Sequence, residues 1–164
     1  MTHPASSKAM IAVTLDLEMC RNFPTWEQTH WDYDKGIIDD ATKRCTLEIA
    51  RRVRAAGGHL HCFVLGRTFE QESVEWLAEL VHDGHKLGNH TYDHVNLLAR
   101  NPSQLQHRFQ RAPWLIGGKT PTEVIADNIR MTTRAMETRL NRRPDGCPHA
   151  LLLRERVARA CLPP

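Results

Sequence analysis

Strand-like and helix-like patterns alternate from residue 10 to residue 90, and this alternation constrains the fold more than any other feature of the chain. "MIAVTLDLE" (10–18) is apolar and closes on acids, the pattern of a buried strand with a polar C-terminal end. "DDATKRCTLEIARRVRAAGG" (39–58) sets Cys45, Ile49, Val53 and Ala56 on one helical face, with Asp39 or Asp40 able to cap its start and Gly57-Gly58 to stop it. "HLHCFVLG" (59–66) reads as a second strand. "FEQESVEWLAELVHDG" (69–84) spaces Val74, Leu77, Ala78 and Val81 as a helix, closed by Gly84. "HKLGNH" is a short third strand.

Beyond it, "NPSQLQHRFQRAP" (101–113) reads as a short helix and "WLIGGK" (114–119) as a loop. A long helix then opens on a capping box, with Thr120 as N-cap, Pro121 at the first helical position and Glu123 three residues after the cap. Ile125, Ile129, Thr132, Met136 and Leu140 form its apolar face. Strands alternating with helices imply a parallel sheet with helices outside, an α/β layer or barrel. The 164 residues suit one domain and show no repeats, no low-complexity segment and no linker.

Several function classes fall away on composition. Net charge is +3 with neutral His, and no stripe of Lys and Arg interleaves with aromatics, so nucleic acid is not an expected partner. No apolar run approaches a membrane span. "MTHPASSKA" is short and polar with no signal-peptide core behind it, which points to the cytoplasm. The five Cys are widely spaced and odd in number, with no CxxC pair, so neither a disulfide framework nor a thiolate zinc site is expected. Cys45 and Cys62 lie in apolar patterns and are expected in the core.

In parallel α/β folds, working residues gather where strands end and loops begin. The first strand ends in Asp16 and Glu18, two apart and so on one side of the strand. The third ends in His90, with His94 one helical turn on if residues 90–94 coil. Two His and one carboxylate form a common catalytic zinc set with a position left open, and a second carboxylate nearby can take a proton from water. An HxxxH pair alone says little among ten His, but a strand closing D-x-E together with a later strand closing N-H-x-x-x-H is a far rarer combination. Asn89 and Asp93 either orient the ligands or serve the turn itself. Trp26, Trp31 and Tyr33 crowd the stretch 21–36 and form either a packed surface loop or a wall of a substrate groove.

"VTLDLE" followed by "HDGHKLGNHTYDHVNL" resembles the polysaccharide deacetylase family, the NodB-homology domain of carbohydrate esterase family 4. The second stretch carries the specific match, and the first is a D-x-E variant of the family's T-F-D-D-G. The resemblance implies a distorted (β/α) barrel of the NodB type, here partial, and hydrolysis of an N-acetyl or similar amide on a carbohydrate. It implies Asp16 as general base, with His90 and His94 as metal ligands. Glu18 takes the place of the third ligand, an Asp in many relatives, and Asp16 is the other carboxylate that could bind the metal. Zinc is the expected metal, with cobalt, nickel or manganese allowed by the ligands. Two other readings stay open: a small non-sugar amide as substrate, as in allantoinase-like relatives, and a non-catalytic remnant or binding module.

The resemblance covers about residues 10–146, after an N-terminus of residues 1–9 expected to be disordered. Where the family continues into an R-x-P motif, residues 147–164 read "CPHALLLRERVARACLPP", an atypical tail. Truncation, or a one-base frameshift near His149-Ala150 that hides Arg-Thr-Pro in the next reading frame, would account for it. A partial barrel is expected to leave strand edges unpaired, to self-associate through them and to turn over poorly.

Overall fold

The structure is a computed structural model and describes residues 11–19, 34–106 and 108–146. The aromatic trio Trp26, Trp31 and Tyr33, the N-terminus 1–9 and the tail 147–164 lie outside the described residues. Three strands, β1 (Val13–Leu17), β2 (Leu60–Val64) and β3 (Lys86–Asn89), form one open sheet in the order β1-β2-β3. Both pairings are parallel. Helix α1 (Asp40–Ala55) joins β1 to β2, and α2 (Glu75–His82) joins β2 to β3. Short turns α3 (Pro102–Leu105) and α4 (Arg108–Arg111) precede the long α5 (Pro121–Leu140). Three parallel strands with helices around them make a mixed α/β arrangement with an open sheet, as expected of a partial NodB-type barrel. Among the described residues no helix is long and apolar enough to cross a membrane.

Period-two alternation gives the sheet two unlike faces. Leu17, Leu60, Cys62, Val64 and Leu87 point to one face and pack with Ala50 of α1, Leu77 and Leu80 of α2, and Met136 of α5. Thr14, Asp16, His61, Phe63 and Gly88 alternate to the other, and there His61 stacks on Phe63 with ring centroids 4.4 Å apart. The first face is the main core, while the second carries Asp16 toward the strand ends.

The helices start where their caps dictate. Asp39 accepts the Thr42 N–H at 2.8 Å and opens α1. The Thr120–Glu123 capping box is complete, with Thr120 Oγ1 accepting the Glu123 N–H and Glu123 accepting the Thr120 N–H. The buried face of α1 differs from the sequence expectation. Thr46 and Ala50 are buried, with Leu47 and Val53 packed beside them, whereas Cys45 is exposed and Ile49 stands 36% exposed. Thr46 sits on the buried side by returning its hydroxyl to the Thr42 carbonyl. Helix α2 is also shorter than its period suggests. Residues Gly66–Glu70 form a 3-10 turn, the helix begins at Glu75, and Trp76 and Leu80 are buried with Leu77 while Ala78 is exposed. Residues 114–116, expected as loop, lie in a 3-10 turn, Pro113–Ile116.

At the far end of the sheet from the strand C-termini, His85 is 1% exposed, and its Nδ1 accepts the Leu60 N–H at 3.0 Å. That bond requires an unprotonated Nδ1, so the ring is neutral where it knits β3 to β2. Burial holds its pKa below 6.5, Asp83 pushes it up, and His59 and Arg54 push it down. The unfolded chain binds the proton more readily, so this contribution is complete above the ordinary His value and is lost as pH falls through 6.5 toward the depressed folded value. His61, lowered first by burial, acts with the same sign. Urea midpoints measured at pH 7.5 and pH 5.5 should fall on acidification, and His85→Gln should shrink the difference. An unchanged difference would remove His85 from the account.

Candidate metal centre

The parallel register decides which side chains meet. Asp16 of β1 pairs with Phe63 of β2, and Phe63 with Gly88 of β3. Glu18 and His90 lie two residues further along their chains, just past the strand ends, on the side of Asp16 and Gly88. Backbone hydrogen bonds fix both exits: Glu18 O accepts the Gly36 N–H at 2.5 Å, and the His90 N–H donates to Val64 O at 3.1 Å.

The side chains converge. Glu18 Oε1 lies 2.9 Å from His90 Nε2 and 3.0 Å from His94 Nε2. One donor atom from each of Glu18, His90 and His94 lies within 4.8 Å of the other two. The imidazoles meet edge to face, with centroids 4.9 Å apart at 74°. Hydrogen bonds from His90 and then His94 hold the Glu18 carboxyl far below the usual carboxylate range, against the opposing effect of burial. Asp16 sits at the rim, its side chain 52% exposed and its Oδ2 3.9 Å from His90 Nε2. The structure thus gathers all four sequence candidates, with Glu18 rather than Asp16 between the histidines. The chemistry of the donor set, two imidazole nitrogens and one carboxylate oxygen converging from a partly buried rim, fits a divalent cation.

The histidines do not meet through a helical turn, as the HxxxH spacing suggests. Thr91 and His94 both adopt left-handed backbone, with φ of 62° and 54°. Asn89 and Thr91 stabilise this bend. Asn89 Oδ1 accepts the Thr91 N–H at 2.8 Å, and Thr91 Oγ1 accepts the Val95 N–H at 3.0 Å. Asn89 Nδ2 donates to Ile129 O at 2.8 Å and to Thr133 Oγ1 at 3.2 Å, which fastens the bend to α5. Gly66 and Arg67 donate their N–H groups to the carbonyls of Thr91 and Tyr92. A Cβ on Gly88 would overlap the Phe63 ring, so glycine there lets Phe63 lie against β3, with its centroid 6.4 Å from that of His90.

Asp93, the other candidate of the motif, finds its polar partners outside the histidine pair. Its carboxylate pairs with Arg67 and Arg108. Its carbonyl accepts from Lys35 and Gln106, and its N–H donates to Asn128 Oδ1. Sequence reading missed these five partners and the floor formed by Phe63 and Gly88. Arg67 carried one usable signal, a charged residue directly after a strand.

The polysaccharide deacetylase family model matches residues 37–147, a span that contains His90 and His94 and begins after Asp16 and Glu18. Comparisons with curated proteins and with solved structures gave no match. Replacing Asn89 with Ala strands the buried Thr91 N–H and should cost about 2 kcal/mol of unfolding free energy. Urea denaturation measures this, and wild-type stability would mean that the bend does not depend on Asn89.

Proposed function

The chain belongs to the polysaccharide deacetylase family, and we propose that it hydrolyses an N-acetyl or similar amide on a carbohydrate, with a divalent cation held by Glu18, His90 and His94. The family supports a hydrolase of carbon–nitrogen bonds acting on carbohydrate. The observation that carries the finer reading is the convergence of three donor atoms where β1 and β3 end.

Zinc suits the two imidazoles and one carboxylate best, and cobalt, nickel and manganese are compatible. When bound, the cation supplies Lewis-acid polarisation of the acyl carbonyl. The remaining work falls to the chain. Glu18, His90 and His94 would hold the cation at the strand ends, where the acyl group would face it. Asp16, half in solvent and on the same side of β1 as Glu18, takes the proton from the attacking water and passes it to the leaving nitrogen as the C–N bond breaks. Phe63, packed against Gly88, closes the floor beneath His90 and limits the approach of water from that side.

The test combines metal content with turnover. Purified protein should carry about one equivalent of zinc, and His90→Ala with His94→Ala should carry none. Acetate release from acetylated chito-oligosaccharides should fall roughly 10²- to 10⁴-fold on Asp16→Asn. Zinc uptake without acetate release would favour a binding module over an enzyme. Equal metal content in the double variant would end the metal assignment, and full activity in Asp16→Asn would remove Asp16 as the base.

A further inference from the structure

We infer that Asp93 is a positioning residue for the metal-binding loop, acting through the backbone of His94 and not through its ring. The inference rests on the proposed metal reading and adds to it the residue that sets the reach of His94. Asp93 lies one residue before His94 and is 7% exposed. Its N–H donates to Asn128 Oδ1 at 3.0 Å. Its carbonyl accepts from Gln106 Nε2, and from Lys35 Nζ at 3.4 Å. Oδ1 is 3.3 Å from Arg67 Nη1, and Oδ2 is held by Arg108 Nη2. Lys35 and Gln106 are each 1% exposed.

Every polar group of Asp93 is thereby held, by residues from five separate positions in the chain. The density of contacts answers a mechanical need. Thr91 and His94 flank the Tyr92-Asp93 pair with φ of 62° and 54°. Such backbone is strained and persists only where its surroundings over-determine it. A β-branched residue such as Thr91 at positive φ is a true outlier. Released from Asp93, the chain would relax toward ordinary backbone and swing the His94 imidazole away from Glu18. The two arginines pull from different bodies, Arg67 from the turn after β2 and Arg108 from α4. The carboxylate therefore fixes the loop between the sheet and the segment that follows the motif.

The test is zinc chloride titrated into the metal-free full chain by calorimetry, with folding checked by circular dichroism and thermal melting. Asp93→Asn keeps the shape of the side chain and removes its charge. It should weaken zinc binding roughly 10- to 100-fold, beyond anything its melting temperature explains. Arg108→Met leaves Asp93 in place and should weaken binding about tenfold. It should add nothing further in the Asp93→Asn background, because both act through one carboxylate. If Asp93→Asn does not fold, Arg108→Met carries the test alone. Folded variants that bind zinc as tightly as wild type overturn the inference and leave the metal reading intact. Wild type binding zinc no better than the His90→Ala, His94→Ala double variant overturns both.

Discussion

The parallel register of β1, β2 and β3 is the constraint on which the rest depends. It sets Asp16, Phe63 and Gly88 side by side across the sheet, and so brings Glu18 and His90 to the same edge one step later. A slip of one residue in β1 would turn Asp16 and Glu18 toward the core and Leu17 toward the site. Leu17, only 2% exposed, opposes that slip, since exposing a buried leucine costs roughly 1.5–3 kcal/mol. The apolar packing behind the sheet thus selects the polar geometry in front of it.

Beyond the strand ends a different device takes over. Residues 90–94 use two left-handed positions to double the chain back, where a helical turn would be the ordinary solution. The bend serves the site by placing both Nε2 atoms at one carboxylate oxygen. Its strain is opposed by groups outside the Glu18–His90–His94 cluster: the Asn89 amide, the Thr91 hydroxyl, and the N–H groups of Gly66 and Arg67.

The legible part of this molecule was its local part. Strand ends, the Asp39 cap, the Thr120–Glu123 box and the D-x-E and N-H-x-x-x-H pairs all depend on neighbours within a few positions, so pattern reveals them. The buried side of α1 was less visible because Cys45 and Ile49 are as apolar as the side that packs, and only the tertiary contact with β2 decides between them. Residues 69–74, which the helical period would give to α2, fall in the 3-10 turn Gly66–Glu70 and the stretch after it, where Arg139 of α5 donates to the carbonyls of Phe69, Gln71 and Glu72. The partners of Asp93 were invisible for the same reason. Lys35, Arg67, Gln106, Arg108 and Asn128 become its neighbours only after folding.

The apolar contacts fall into two clusters, and the candidate site lies between them. The first, behind the sheet, holds β1 and so Glu18. The second gathers Val95, Leu97, Leu105, Phe109, Val124, Ile125 and Ile129, and holds the chain as it leaves His94. Helix α5 runs through both, with Met136 in the first cluster and Val124, Ile125 and Ile129 in the second, and polar bonds from the bend add to that connection. Asn89 supplies one such link, from the end of β3 to Ile129 and Thr133 of α5. Asp93 supplies the other, from Arg67 beside the first cluster to Gln106 and Arg108 within the segment of the second. A motif that reads in sequence as two histidines and a spacer is, in the folded chain, two imidazoles separated by a residue tied to Arg67, Gln106, Arg108 and Asn128.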